Sequence, residues 1–375
     1  MFFPPKYIED LLKKIDLLDL MTSHNIRTKT GVGKNDYYEA SFCCGKTDLQ
    51  NGRIRKGDTI YRCRACGDFG NAINFLERVA GMDFQDAVHS LVEMANIDLP
   101  VVDPVLVEAE KRKNKAMLLA AEFYHSQKNC EYLLSRGINE AVLNRHKVGY
   151  APGGRALRGY LEEQGYTKEE LQSYRLINAK GLDALFYRAV VPVYMYGKVT
   201  DLYGRAVDDS KAGIKHFYVN GDDILGGFDL LDTKRVVYLY ESAIDRLVAE
   251  SYDISNGIDS GGAHKFKAAH ARMLKKKKVK RVMVIYDGDK AGRQGAMASG
   301  QLLVDEGIEV WIGELPDGMD PAQMIQEKGK DAFVAALYKP KTFQQYKMYD
   351  ELSKYRLEDI EKYIADKKTL TLVAQ

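Results

Sequence analysis

Six acidic side chains follow three apolar, strand-like runs in the second half of the chain. Glu241 ends the run VVYLYE and Asp245 follows it. Asp287 and Asp289 follow VMVIY, and Asp317 and Asp320 follow EVWIGEL. Asp245 comes four residues after Glu241, so a helix beginning there would bring both onto one face, about one turn apart. The spacing D-x-D of the second pair and the turn sequence LPDGMDP of the third put two carboxylates close to each strand end.

Carboxylates in these positions predict a site for hard cations. In an open parallel sheet, ligands bind in the crevice beyond the carboxyl ends of the strands. Several carboxylates meeting there repel one another unless cations neutralise them, and Mg²⁺ or Mn²⁺ takes oxygen ligands of this kind. Acids at strand ends also act as helix N-caps or turn formers, which is an adequate interpretation of any single pair. Three pairs in order on one sheet favour the metal site.

The elements that must position these acids alternate between strand and helix. Apolar runs of strand length from VVYLYE to EVWIGEL are separated by helical patterns, which predicts a parallel sheet with helical crossovers. Residues 131–180 have the pattern of short helices broken by glycine-rich turns, and residues 185–228 that of strands. The residues after 330 have a charged, helical pattern. We therefore predict a multi-domain α/β protein.

Cysteines near the N-terminus predict a second metal site. The four are Cys43, Cys44, Cys63 and Cys66. Two thiolates in the arrangement C-x-x-C-G can turn around one tetrahedral Zn²⁺, and the glycine permits the tight turn. The upstream pair is adjacent instead of separated by two residues, so one ligand position of a regular pair is missing. Either both adjacent thiols bind, or a residue such as His24 completes the set. The alternative is a group of thiols without metal.

Composition sets the broad class of the protein. The chain has 375 residues, a net charge of +2 and 45% hydrophobic residues, enough for two or three domains with real cores. No apolar stretch approaches the roughly 20 residues of a membrane span. The N-terminal sequence lacks the pattern of a signal peptide, and five cysteines with four bunched together do not form a secreted disulfide framework. We expect a cytoplasmic protein, with Cys130 in a structural role.

The acidic motifs resemble the Toprim domain of bacterial primases, topoisomerases and some nucleases. The likeness rests on E-x-x-x-D, on D-x-D within YDGDKAG and on LPDGMDP. The chain is most similar to bacterial DNA primases of the DnaG type, over roughly residues 4–330. Further landmarks in the same order are GNAINFL after the cysteine knuckle, YLLSRGI at 132–138, VGYAPGG at 148–154, FYRAVVPVY at 186–194 and GRAV at 204–207.

This resemblance implies a domain organisation. The expected parts are a zinc-ribbon template-binding domain at 1–100, a linker at 101–110, the N-terminal subdomain of the primase core with mixed α+β structure at 111–230, the Toprim subdomain at 231–330 and a short helical C-terminal segment at 331–375. The segment after the Toprim motifs is shorter than the helicase-binding domain of the family. We therefore expect a compact form encoded by a phage or mobile element, acting in the host cytoplasm in that case.

The resemblance also implies a DNA-dependent RNA primase acting on single-stranded DNA and ribonucleoside triphosphates, with a replicative helicase as partner. Glu241, Asp287 and Asp289 are the implied catalytic metal ligands, and Asp245, Asp317 and Asp320 complete the acidic site. The implied triphosphate-binding residues are Arg205, Lys215 and Arg136. At the zinc knuckle, Tyr61, Arg62 and Arg64 are candidates for contacts with the template, and Lys275–Lys278 for a phosphate contact or a solvated helix end.

Departures from the family pattern keep two other functions open. Ser242 stands where the family has glycine, Gly261-Gly262 follows the second strand with one residue more than usual, and the first cysteine pair is irregular. These features support a primase-like DNA-binding or helicase-regulating protein without catalysis. A Toprim nuclease or topoisomerase is the other alternative, although no tyrosine has the sequence context of a topoisomerase nucleophile.

Overall fold

The computed structural model describes most of the chain in ten ranges. These are residues 3–30, 37–40, 52–55, 57–64, 69–99, 104–127, 130–208, 213–221, 224–338 and 340–353. The chain divides into two compact units, residues 1–111 and 112–375, and the division falls within one long helix. Of the four clustered cysteines, only Cys63 lies in the described ranges. None of the helices in these ranges is both long and apolar enough to cross a membrane.

The first unit is an antiparallel sheet with helices before and after it. Its elements are α1 (Pro5–Lys14), α2 (Leu17–Ser23), β1 (Thr28–Thr30), β2 (Tyr37–Ala40), β3 (Gly52–Arg55), β4 (Ile60–Cys63), β5 (Phe69–Asn71), α3 (Ala72–Val79) and α4 (Phe84–Ala95). The five strands pair in chain order. Along β4 the exposed residues Ile60 and Arg62 alternate with the buried Tyr61 and Cys63, so one face of the sheet packs on the helices.

The second unit begins with short helices around an antiparallel sheet. Its elements are α5 (Pro104–Ser126), α6 (Glu131–Ser135), α7 (Glu140–Arg145), β6 (Gly149–Ala151), α8 (Ala156–Glu163), α9 (Lys168–Ser173), β7 (Arg188–Met195), β8 (Lys198–Ala206) and β9 (His216–Tyr218). The four strands pair in chain order. Because α5 begins at Pro104, residues 104–110 of the expected linker are helical.

The parallel sheet predicted from the alternation of strands and helices forms the rest of the second unit. Its elements are β10 (Val237–Tyr240), α10 (Ala243–Ser251), β11 (Gly257–Asp259), α11 (Ala268–Lys276), β12 (Arg281–Ile285), α12 (Lys290–Asp305), β13 (Glu309–Ile312), α13 (Pro321–Lys328), α14 (Lys330–Leu337), β14 (Lys341–Thr342) and α15 (Phe343–Leu352). The strand order is β11-β10-β12-β13-β14. The first four are parallel, which confirms the α/β fold, whereas β14 is an antiparallel edge strand.

Hydrophobic cores cover both faces of this parallel sheet. On one face, Tyr240 and Ile285 pack with residues of α10, α13 and the antiparallel sheet. On the other face, Leu239 and Val284 pack with residues of α11 and α12. Sheets covered on both sides have nearly continuous apolar strands, as the runs VVYLY and VMVIY do. The polar groups that follow these strands are therefore the first ones that can approach solvent.

Candidate active site

The carboxyl ends of β10, β12 and β13 meet at one edge of the parallel sheet, as their neighbouring positions in the sheet require. A cavity of about 190 Å³ opens there. Its lining residues are Tyr132, Arg136, Arg205, Lys215, His216, Glu241, Ser242, Ile244, Asp245, Asp287 and Asp320. The structure thus brings together every acidic and basic residue predicted for the catalytic site except Asp289 and Asp317.

Asp287 is the carboxylate of this cavity whose pKa is raised furthest. Its Oδ1 atom is buried and has no hydrogen-bond partner among the described residues. Burial, followed by the negative charges of Asp245, Glu241, Asp320 and Asp289, raises the pKa of Asp287 to about 8. An anionic oxygen without a donor is costly to bury, so this atom is available to a cation that enters the cavity.

Asp245, in the first turn of α10, is buried except where it lines the cavity. The Ser242 hydroxyl donates a 2.6 Å hydrogen bond to its Oδ2 atom, and the backbone N–H of Ala322 donates one of 3.2 Å to Oδ1. Burial and the charge of Asp320 still raise the pKa of Asp245 to about 7. Ser242, a departure from the family pattern, is the N-cap of α10 and a donor to this carboxylate. Its presence is therefore compatible with an intact acidic site.

Glu241, at the end of β10, faces the same set of charges. Burial raises its pKa, the backbone N–H of Ala263 lowers it by hydrogen bonding, and the carboxylates of Asp289 and Asp320 raise it further. Asp289 does not line the cavity, but its charge raises the pKa values of both Glu241 and Asp287. The charge of Asp289 therefore acts on the same group of carboxylates.

Asp289 and Asp320 are also helix N-caps. Oδ1 of Asp289 accepts a 2.7 Å hydrogen bond from the N–H of Gly292 at the start of α12. Oδ1 of Asp320 accepts one of 2.6 Å from the N–H of Gln323 at the start of α13. Capping occupies one oxygen of each carboxylate and fixes its orientation. The capping and metal-binding interpretations of these acids are thus compatible with each other.

Asp317 is the one acid of the six that the structure directs away from the others. Its side chain is 94% exposed and forms a 2.9 Å ion pair with Arg293. It lines a second, larger cavity of about 540 Å³ between α12, β13 and α15, which shares Asp287 with the first cavity but none of the other four acids. Its charge is not among those that raise the pKa values of Glu241, Asp245 or Asp287.

Two interlocked loops hold the acids at the sheet edge. The N–H of Gly288 donates to the carbonyl of Met319 at 2.8 Å, and the N–H of Gly318 donates to the carbonyl of Gly288 at 2.9 Å. A Cβ atom on Gly288 would come within 2.1 Å of the Pro316 carbonyl oxygen. A Cβ atom on Gly292 would come within 2.1 Å of the carbonyl oxygen of Asp287. Both glycines of DGDKAG are therefore required by close backbone contacts.

Basic residues of the antiparallel sheet, of the segment before β9 and of the end of α6 line the same cavity and are called its basic wall. Arg205 on β8 donates from Nε to the Tyr132 hydroxyl at 2.9 Å and from Nη1 to His216 at 3.1 Å. Lys215 immediately precedes β9, and Arg136 ends α6 with an Nε atom that has no partner among the described residues. Tyr132 and His216 were not singled out from the sequence. Only their positions beside Lys215 and within YLLSRGI could have suggested them.

The donor set of the cavity fits a hard divalent cation. Carboxylate oxygens are the ligands that Mg²⁺ and Mn²⁺ prefer. The buried Oδ1 of Asp287 has no hydrogen-bond partner among the described residues, so a cation could bind it without displacing a donor. Within the described ranges, no three histidine, cysteine or carboxylate side chains are already arranged as a ligand set. Ligation therefore requires side-chain movement, of Glu241 for example, while Asp289 and Asp320 keep the orientation set by their capping bonds and offer their second oxygens.

The cysteine cluster lies largely outside the described residues. Cys43, Cys44 and Cys66 fall there, whereas Cys63 ends β4 and is buried. His24, the alternative fourth ligand, bonds through Nδ1 to the Leu20 carbonyl at 3.0 Å. The structure therefore leaves the ligand set of this site as a prediction.

The structure of the first unit corrects one of the three residues expected to contact a template. Tyr61 is only 1% exposed and packs in the core, because it lies on the helix-covered face of β4. Arg62 and Arg64 are exposed. Phe69 is 69% exposed and pairs with Arg62 across β4 and β5. Phe69 is thus an exposed aromatic residue on the open face.

Three known families match successive parts of the chain. Residues 3–105 match the CHC2 zinc finger, residues 119–225 the N-terminal domain of the DNA primase catalytic core, and residues 238–325 the Toprim-like family. The first match supports zinc, and the last supports a divalent metal ion. Together they cover both units in the order expected from the sequence.

Individual relatives agree with these matches. The chain is 27% identical to a DNA primase of Clostridium acetobutylicum, over 96% of this chain and 64% of that protein. It is 28% identical to a DNA primase of Aquifex aeolicus, over 86% of this chain and 67% of that protein. The chain thus spans about three fifths to two thirds of the length of these relatives.

Solved structures share the fold. The crystal structure of the Aquifex aeolicus primase, containing its zinc-binding and RNA polymerase domains, matches with a TM-score of 0.58 and 26% identity over 95% of this chain and 89% of that chain. A DnaG primase catalytic domain bound to ssDNA matches with a TM-score of 0.57 over 67% of this chain and 88% of that chain. At 21% identity, the second likeness concerns the fold alone.

The close contacts of the two loop glycines lead to a stability prediction. We expect Gly288→Ala and Gly292→Ala each to lower the free energy of unfolding by about 2–4 kcal/mol, because each added methyl overlaps a backbone oxygen. Gly159→Ala on α8 is the control, since its Cβ would meet no atom within 4 Å. That variant should gain about 0.5–1 kcal/mol. Urea unfolding followed by circular dichroism measures all three, and equal effects would contradict the packing argument.

The raised pKa of Asp287 leads to a pH-dependence prediction. Between the ordinary value of 3.8 and about 8, the folded protein holds a proton that the unfolded chain has released. Stability without metal therefore falls as the pH rises through this range. We expect Asp287→Asn to raise the free energy of unfolding by about 1–3 kcal/mol near pH 8, and by less near pH 5.

Fluorescence of the single tryptophan, Trp311 on β13, reports unfolding of the sheet concerned. The measurement is urea unfolding at both pH values in the presence of a chelator. Asp317→Asn is the matched control, because that carboxylate is exposed and already paired with Arg293. A loss of stability in Asp287→Asn, or an equal gain in both variants, would show that Asp287 is not held against like charges.

Proposed function

We propose that this chain, which belongs to the DnaG-type DNA primase family, synthesises short RNA primers on single-stranded DNA. The observation that carries the proposal is the cavity at the sheet edge, where carboxylates face a wall of basic side chains. In the proposed reaction, a 3′-hydroxyl attacks the α-phosphorus of a ribonucleoside triphosphate. A bond forms between the 3′-oxygen and the α-phosphorus, the bond from the α-phosphorus to the oxygen that bridges it to the β-phosphorus breaks, and pyrophosphate leaves with that oxygen. The hydroxyl proton passes to solvent.

The acidic wall is proposed to hold divalent metal, Mg²⁺ or Mn²⁺. When bound, the ion would supply charge stabilisation for the attacking and leaving oxygens. Glu241 and Asp287 are the principal proposed ligands, since one ends β10 and the other has a buried oxygen without a partner. Asp289 contributes its non-capping oxygen. Asp245 and Asp320 supply negative charge close to these ligands, and we propose no direct role for the outward-facing Asp317.

The basic wall is proposed to hold the triphosphate. Arg205, Lys215 and Arg136 line the same cavity as the carboxylates, so a polyanion could lie between them and metal on the acidic wall. Arginine offers several donors in a planar fork that matches phosphate oxygens, and lysine adds a compact charge. Chemistry of this kind depends mainly on positioning and charge neutralisation, which these residues can provide.

The template is proposed to contact the open face of the antiparallel sheet in the first unit. Arg53, Arg62 and Phe69 lie in one register row across β3, β4 and β5. Phe69 offers an exposed ring on which a base can stack, and Arg62 an exposed charge for the phosphate backbone. The row replaces the buried Tyr61 as the candidate single-strand surface.

The whole-protein partners remain proposals because the chain spans only part of its relatives. By family membership we propose a replicative helicase as partner and the bacterial or host cytoplasm as the location. No contact surface for a helicase is assigned. The run Lys275–Lys278 spans the end of α11 and precedes β12, whereas the acidic cavity lies at the other end of that strand. Lys275 pairs with Glu306 at 3.2 Å. We assign it no role in the reaction.

The metal assignment leads to an activity prediction. We expect Asp287→Ala and Asp289→Ala each to reduce ribonucleotide incorporation on a single-stranded DNA template by at least about 100-fold, because each removes an acidic ligand from the site. Asp317→Ala is the matched control and should retain activity within about threefold, since its carboxylate points away from the cavity. Incorporation is measured with Mg²⁺, with Mn²⁺ and with chelator, alongside binding to the same DNA.

The same assay separates the alternatives. Cleavage of the template without nucleotide incorporation would identify a nuclease. Binding of the template with neither reaction would identify a primase-like DNA-binding protein. Full incorporation by the Asp287 and Asp289 variants would contradict the metal assignment even if the chain is a primase.

The cysteine cluster leads to a prediction on metal content. We expect about one zinc ion per chain, lost in Cys63→Ala and retained in Cys130→Ala, whose thiol lies in the second unit at the start of α6. Elemental analysis of purified protein gives the stoichiometry, and circular dichroism before and after chelation shows whether the first unit depends on the ion. Less than half a zinc ion per chain, with unchanged folding after chelation, would contradict the predicted zinc site.

A further inference from the structure

Arg205 is held by hydrogen bonds from two sides of the cavity wall. Its Nε atom donates to the Tyr132 hydroxyl at 2.9 Å, and Nη1 donates to Nε2 of His216 at 3.1 Å. His216 in turn contacts the Tyr203 hydroxyl through Nδ1 at 2.8 Å, and the two rings stack with an angle of 17° between their planes. These residues come from α6, β8 and β9, so the arrangement is built by the tertiary fold.

The donor rules fix the state of the histidine in this arrangement. A guanidinium only donates hydrogen bonds, so Nε2 of His216 must accept from Arg205. Nδ1 then carries the ring hydrogen and donates to the Tyr203 oxygen. His216 is therefore a neutral ring of defined tautomer that links a buried tyrosine to the guanidinium. The pair of bonds leaves the other amino group of Arg205 for an anion.

The acidic wall makes such anchoring necessary. Arg205 lines the same cavity of about 190 Å³ as Glu241, Asp245 and Asp287, yet it pairs with no carboxylate among the described residues. A long guanidinium side chain with free rotation would be attracted by these charges, and pairing with one of them would occupy the site of the metal. Tyr132 and His216 hold the guanidinium on the basic wall.

We propose that His216 is a positioning residue that holds Arg205 for the triphosphate and away from the metal-binding carboxylates. The inference rests on the proposed function, because it concerns the same substrate site. Neither the resemblance of the motifs nor the acidic cluster singles out this histidine. The assignment comes from its bonds to Arg205 and Tyr203.

Two substitutions at this position separate the bond to Arg205 from the bond to Tyr203. The amide of glutamine ends near the position of Nε2, so His216→Gln can still accept from Arg205. The shorter amide of asparagine ends near Nδ1, so His216→Asn can reach Tyr203 but not Arg205. We expect His216→Asn to raise the KM for ribonucleoside triphosphates about tenfold with kcat changed by less than about threefold, and His216→Gln to restore the KM.

The control is His125→Gln on α5. That histidine bonds through Nδ1 to the Val148 carbonyl at 2.8 Å and is outside the cavity, so its loss should leave both constants unchanged. Thermal unfolding of each variant confirms that it is folded. An unchanged KM in His216→Asn, or a KM raised equally in both His216 variants, overturns the positioning role.

A binding measurement keeps this test independent of primer synthesis. If the wild-type chain incorporates no nucleotide, the proposed function fails, but affinity for a fluorescent ATP analogue with Mg²⁺ can still be measured. Affinity about tenfold weaker in His216→Asn and restored in His216→Gln supports the inference. Equal affinity in wild type and His216→Asn, or no binding by any of them, overturns it.

Discussion

Mutual repulsion among carboxylates at one edge of the parallel sheet is the constraint on which the site depends. Burial and neighbouring charges raise the pKa of Asp287 to about 8 and that of Asp245 to about 7, so ionising these carboxyls together in the metal-free fold is unfavourable. The loop hydrogen bonds between Gly288 and the residues around Gly318 hold the acidic loops together. The apolar faces of the sheet stabilise the strands from which these loops emerge. Fold stability therefore maintains a local arrangement that is unfavourable without a cation.

A buried carboxylate on β11 differs from Asp287 because it is paired with a cation. Arg246 and Asp259 form a buried 2.8 Å ion pair, and Asp259 also bridges by its backbone to Gly226. Asp287 lacks any such partner among the described residues. The chain thus pairs one buried carboxylate with an arginine and leaves a buried oxygen of another without a donor among the described residues. That contrast, more than the number of acids, supports the proposal that Asp287 binds metal while Asp259 is structural.

Much of this arrangement follows from sequence periodicity, because parallel strands bring their carboxyl ends to one edge. Glu241, Asp287 and Asp320 could therefore be predicted to converge. The outward direction of Asp317 could not, since it depends on a turn whose Gly318 has a φ of 76° and on pairing with Arg293. β14 has only two residues and no readable period. The face of β4 was ambiguous as well, because both alternating sets contain an apolar residue, and the burial of Tyr61 is decided by the helices that pack on it.

One carboxylate can cap a helix with one oxygen and act on the cavity with the other. Asp289 and Asp320 each use one oxygen to cap a helix, and Asp245 accepts from Ser242 and from the N–H of Ala322. Each bond fixes the direction of a carboxylate whose second oxygen, or whose charge alone, acts on the cavity. A helix N-terminus also stabilises the negative charge placed there, so the same geometry that begins α12 and α13 partly offsets the crowding of acids. Local capping is thus a means by which this sequence orders an acidic site in advance of any ion.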